Sequence, residues 1–147
     1  MELAADLDAP CPPEELFAWV DDLARYPSWL SIVTRAEAYA GDPLAWSVDL
    51  RGRVGPFARS KRLRMVRTSF DPPRLAVFER QEDDGRQHAA WLLRAEVSPM
   101  GAGERSHLAM RLRYDGALWG PVIERLLSDE IEQGRLRLLE LVSAPRR

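Results

Sequence analysis

From residue 45 to residue 114 the chain alternates apolar and polar side chains over strand-length runs, and a turn cluster follows each run. Trp46, Val48 and Leu50 share one face of Ala45 to Arg51, against Ser47, Asp49 and Arg51. Trp91, Leu93, Ala95 and Val97 face away from His88, Arg94 and Glu96, and Leu108, Met110, Leu112 and Tyr114 face away from His107, Arg111 and Arg113. Side chains on a strand repeat every two residues, so each run has one face to bury and one for water. The turns are Gly41-Asp42-Pro43, Gly52 to Pro56, Asp71-Pro72-Pro73, Asp83-Asp84-Gly85, Gly101-Ala102-Gly103 and Asp115-Gly116. These residues supply a positive or preset φ, so the pattern predicts an antiparallel meander.

Helices are predicted at both ends. Pro12, Pro13, Glu14 and Glu15 suit a first turn, where missing N–H donors and negative charge are tolerated. Leu16, Trp19, Val20 and Leu23 then follow at helical spacing, with Pro27 after Tyr26 as the stop. A last helix is expected from about Trp119-Gly120-Pro121 to Ser143, carrying Trp119, Val122, Ile123, Leu126, Leu127, Ile131, Leu138, Leu141 and Val142 as a stripe wide enough to cover a curved sheet. Glu130 and Gly134 interrupt that stripe. Either a space lies beneath them, or Glu130 snorkels to water from the stripe's edge while Gly134 admits an aromatic side chain.

A chain of 147 residues is expected to form one domain, residues 1–147, with a single core. Its 46% hydrophobic and 30% charged composition is that of a globular protein, and no apolar run reaches the ~18 residues of a membrane span. Met1-Glu2-Leu3 opens a strand rather than a leader, and the single Cys11 suits a reducing compartment, so a cytoplasmic location is expected. A net charge of -2 gives no global attraction to nucleic acid.

The opening of the chain carries a further signal. An apolar strand (Leu3, Ala5, Leu7) runs into Ala9-Pro10, then Asp21, then Tyr26-Pro27-Ser28-Trp29. That order resembles the START-like (SRPBCC) superfamily, the polyketide cyclase/dehydrase and lipid-transport group. The resemblance covers the whole chain and implies an α+β helix-grip fold: a short strand, two small helices, a long antiparallel meander, and one long C-terminal helix gripping an apolar cavity. It implies binding or transport of a hydrophobic or aromatic small molecule, and carries no catalytic residue onto this sequence.

The chemistry of the residues agrees with a site of few polar groups. HExxH, CxxC, GxSxG, P-loop and GxGxxG motifs are missing, so no metal or cofactor is expected. Alternation puts His88 and His107 on the solvent face, and Cys11 has no inward histidine to activate it. The expected cavity lining is Trp46, Val48, Phe78, Trp91, Leu93, Met110, Leu112, Tyr114, Trp119, Ile123, Leu127, Glu130 and Gly134. Inward aromatics serve equally well as plain core. Tyr114, Glu130 and Arg64 are the candidate acid–base groups.

Arg51, Arg53, Arg59, Lys61, Arg62, Arg64 and Arg67 concentrate positive charge on one hairpin, with no acidic residue between Asp49 and Asp71. Alternation slips within it, and a β-bulge near Met65 would restore it; without one, Arg62 or Arg64 faces the cavity. The plain alternative is a solvated outer face. Three function classes follow: a carrier of an apolar ligand; a cyclase, dehydratase or aromatase using acid–base groups; and an interaction protein whose 51–67 hairpin meets an acidic partner or RNA, the RNA version being the weaker because only Phe57 interleaves with the arginines. A homodimer stays open. A cavity favours the carrier, a joined Tyr–Glu–Arg set favours the enzyme, and a filled interior favours the partner protein.

Overall fold

The computed structural model describes residues 2–54, 56–115 and 120–143. The chain order is β1 (Glu2–Ala9), α1 (Pro13–Phe17), a 3-10 helix (Leu23–Ser28), β2 (Val33–Tyr39), β3 (Asp42–Val54), β4 (Phe57–Asp71), β5 (Leu75–Arg80), β6 (Trp91–Met100), β7 (Arg105–Tyr114) and α2 (Gly120–Ser143). The strands form one antiparallel sheet in the order β1-β7-β6-β5-β4-β3-β2. This is a meander whose last strand returns to pair with the first. The curled sheet and the C-terminal helix make the helix-grip fold expected from the sequence.

Alternation decides which way each strand faces. Leu7 and Ala9 of β1, Leu63 and Met65 of β4, Ala76 and Phe78 of β5, and Ala95 and Val97 of β6 are buried. Asp6 and Asp8, between the inward residues of β1, reach His107 on the outer face. Ser106, buried completely, donates to the carbonyl of Cys11 at 2.8 Å and ties β7 to the start of α1. Cys11 is therefore a buried structural residue.

Three local expectations are corrected. The first helix stops at Phe17, and a 3-10 helix containing Pro27 replaces its continuation. Asp22 begins that helix, its carboxylate accepting from Ala24 N at 2.9 Å, so the chain has a new start signal where apolar spacing alone suggested continuity. The irregularity in β4 falls between Arg67 and Ser69, not near Met65. Gly52 sits within β3 opposite Arg59 instead of in a turn. A Cβ there would stand 2.6 Å from Leu126 Cδ2, so its missing side chain lets α2 approach the sheet.

Candidate functional site

The interior between sheet and α2 is divided. One part is solid: Phe78 meets Trp46 edge-on at 5.5 Å between ring centroids and Tyr26 at 6.4 Å, while Tyr26 lies 4.8 Å from Trp29. Their polar atoms are satisfied locally. The Tyr26 hydroxyl donates to Val20 O at 2.9 Å, Trp29 Nε1 to Trp19 O at 3.1 Å, and Trp46 Nε1 to Asp22 Oδ1 at 3.1 Å. Burial raises the Tyr26 pKa well beyond the ordinary phenol value, so this hydroxyl stays protonated.

The other part is a cavity of about 100 Å³. Its walls come from five places: Leu3 and Ala5 on β1; Leu23 and Tyr26 of the 3-10 helix with Trp29, Leu30, Ile32 and Val33 after it; Val48 and Leu50 on β3 with Leu63 and Met65 on β4; Trp91 and Leu93 on β6 with Met110 and Leu112 on β7; and Leu127 and Ile131 on α2. The wall is almost entirely carbon. A dry apolar space of this size is of the order that accepts one small aromatic molecule.

Of the residues expected at the cavity, Val48, Trp91, Leu93, Met110, Leu112 and Leu127 line it. Trp46 and Phe78 face the same interior but pack against each other in the solid part. Tyr114 is buried beside the cavity, its ring 4.6 Å from that of Trp91, with which it is also paired in register. Burial raises its pKa. Trp119 and the side chain of Ile123 lie outside the described residues.

Glu130 and Gly134 mark no space. Glu130 is half-buried at the edge of the stripe, where the Ser31 hydroxyl donates to its Oε2. Gly134 is buried against the chain that follows the 3-10 helix, where a Cβ would stand 2.9 Å from Leu30 Cδ1 and 3.0 Å from Trp29 O. Apolar periodicity located both positions on the covered face of α2. It could not tell a gap from a close contact, because a glycine suits either.

Arg64 is likewise off the cavity. It shares the outer face of β4 with Arg62, Nη1 donating to Gln81 O at 2.8 Å and Nε lying 4.0 Å from Asp83. Arg62 pairs with Asp49 across the strands, at 2.7 and 3.3 Å, which holds the Asp49 carboxyl below its usual pKa. Arg67 donates to Asp21 O and lies over the Phe70 ring at 3.7 Å. The basic stretch is thus partly neutralised within the fold, with Arg51 and Arg53 left exposed. His88 lies before β6, its Nε2 2.8 Å from Asp84. Tyr114, Glu130 and Arg64 occupy three separate settings and form no joint acid–base set.

The sequence reading missed the contribution of the 26–33 segment. Tyr26 and Trp29 stood there as marks of resemblance, whereas they and the residues after them close one side of the cavity. Leu50 shares its face with Trp46 and Val48 in the sequence, and Leu63 and Met65 are legible as inward residues once the bulge is moved beyond Arg67. Arg80 was also missed. It continues the inward face of β5 beyond Phe78, and its side chain is only 8% exposed because Nε pairs with Glu82 at 3.0 Å and Nη1 donates to Ala89 O at 3.3 Å.

A curled antiparallel sheet closed by a C-terminal helix over an apolar cavity defines a START-like protein. The family model described as polyketide cyclase / dehydrase and lipid transport matches residues 2–142, and the chain belongs to that family. No curated protein matches the chain by sequence. Among solved structures, a START superfamily protein from Mycobacterium smegmatis is similar with a TM-score of 0.72 at 17% identity, covering 96% of each chain. A protein from Thermus thermophilus reaches 0.69 at 18% identity over 97% of each chain. The Zhui aromatase/cyclase from a Streptomyces species reaches 0.71 at 11% identity, over 97% of this chain and 93% of the other. At these identities the likeness concerns the fold. Among the described residues, no helix is long and apolar enough to cross a membrane.

Proposed function

We propose that this protein binds a small, largely apolar molecule in the cavity between the sheet and α2, as a binding or carrier protein. The observation that carries this reading is the carbon lining of the cavity together with the placement of Glu130 and Arg64 away from it, which leaves Tyr114 beside the cavity without either of them. Apolar burial supplies affinity in such a site at roughly 25 cal/mol per Å² removed from water, without any reacting group. A molecule with one ring or a short acyl chain suits the space as it stands.

Native mass spectrometry of freshly purified protein tests the proposal. A released lipid, quinone or polyketide-like molecule that titrates back onto the protein is the expected result. Failure of small aromatic and acyl compounds to bind at millimolar concentration would overturn it. Turnover of a polyketide-like substrate would instead establish a cyclase-type enzyme, the activity named for Zhui.

A further inference from the structure

We infer that the ligand carries an anionic oxygen at one end, docked at Trp91 and Lys61, with its apolar body extending toward Leu63 and Leu127; this rests on the cavity reading above. Two donors without acceptors among the described residues meet there: Trp91 in the carbon-lined wall and Lys61 beside its ring. Trp91 lines the cavity and is 9% exposed, yet its indole Nε1–H has no hydrogen-bond partner among the described residues. Such a donor has lost its water without compensation, a cost of about 1–3 kcal/mol that an incoming acceptor would recover.

Lys61 is the second donor. It follows Leu63 and Met65 along the inward face of β4 and pairs in register with Leu50, another wall residue. Its ammonium lies 5.9 Å from the centre of the Trp91 ring, and no carboxylate lies in ion-pair distance among the described residues. Burial and the neighbouring Arg80 lower its pKa, while Glu82 opposes them. Glu82 is already held by Arg80 Nε and by the backbone N–H of Arg64. An anion is therefore the group that this end lacks. A fatty carboxylate and an ionised acidic phenol or enol both present it.

Octanoate against 1-octanol, and 2-naphthoate against 2-naphthylmethanol, form matched acid and neutral probes for calorimetry and for NMR of the five tryptophan indole N–H signals. The acids should bind about tenfold more tightly than the alcohols, and the indole signal lost in Trp91→Phe should move downfield with the acids. In Lys61→Met that preference should fall to about twofold or less while alcohol binding persists. Preference for octanoate alone points to a fatty carboxylate, and for naphthoate alone to a flat aromatic acid. Equal binding of acids and alcohols to the unaltered protein, or an acid preference that survives Lys61→Met, would overturn the anionic-end proposal and leave the cavity standing. Binding of none of the four would overturn both.

Discussion

Gly134 of α2 faces the carbonyl of Trp29 so closely that a Cβ at this position would stand 3.0 Å from its oxygen. Leu30 Cδ1 would lie 2.9 Å away, but a leucine tip can shift, whereas Trp29 O belongs to the chain at the end of the 3-10 helix. Replacing glycine by alanine within a helix ordinarily gains about 1 kcal/mol. Gly134→Ala is expected to forfeit that gain, with a melting temperature no higher than that of the unaltered protein. Gly134→Trp should displace α2 and fail to fold. A well-folded, ligand-free Trp variant would show that space lies beneath Gly134 after all.

Filling the cavity from the sheet side is a different matter. Leu112 lines it and is only partly buried, so Leu112→Trp puts its extra volume into the space instead of against backbone. The variant should remain folded by circular dichroism and lose affinity for octanol and 2-naphthylmethanol by about tenfold or more, the cost of displaced apolar contact. Unchanged affinity would place the binding site elsewhere.

Asp22 performs two tasks with one oxygen, accepting from the backbone of Ala24 at 2.9 Å and from the indole of buried Trp46 at 3.1 Å. Asp22→Ala removes a helix cap and strands a buried donor, so the expected loss is about 2–3 kcal/mol by denaturant unfolding. Asp22→Asn retains an acceptor and should lose about half as much or less.

His107 joins β7 to the edge strand β1, with Nδ1 2.6 Å from Asp8 and Nε2 3.1 Å from Asp6. Only the protonated ring donates at both nitrogens, and the Asp8 contact first, then Asp6, raises its pKa. The stabilisation is therefore full below about pH 6.5, the ordinary histidine value, and is lost as pH rises through the higher value of the folded protein. Melting temperature should fall over that window in the unaltered protein more than in His107→Gln. Parallel profiles for the two proteins would remove His107 from the account.

The basic hairpin offers a contrast of another kind. Arg62 is 71% exposed in its side chain although it pairs with Asp49, and solvent screens such a pair. Arg62→Ser should shift stability by no more than about 0.5 kcal/mol, and ligand binding not at all. A marked loss of affinity for the apolar probes would mean that the outer face of β4 communicates with the cavity.

The strand pattern was legible because a two-residue period survives in any order of strands: Val48, Trp91, Leu93, Met110 and Leu112 declared their face before the sheet was seen. The same rule could not separate Trp46 and Phe78 from the cavity wall. All seven face inward, and the difference is only how far along the sheet each one stands relative to Tyr26 and Trp29. Glu130 and Gly134 were ambiguous for a related reason, since helical spacing gives an angle about the axis but not the distance to the opposite wall. Arg62 and Arg64 stayed open because the slip in alternation can be counted from either side of a bulge; placed between Arg67 and Ser69, it leaves Leu63 and Met65 inward and both arginines outward.

Local rules acting on the sequence by themselves determined the alternating strands, the turns with glycine at positive φ at Gly41, Gly85, Gly101 and Gly103, and the amphipathic C-terminal helix. These follow from sterics and burial within a few residues of chain. The tertiary structure alone decided where the interior is full and where it is empty. That outcome depends on contacts between distant segments: Gly52 against Leu126, Gly134 against Trp29, and Tyr26 against Phe78. It also brought the Lys61 ammonium to 5.9 Å from the centre of the Trp91 ring, although thirty residues of chain separate them, because packing rather than periodicity fixes the distance between elements.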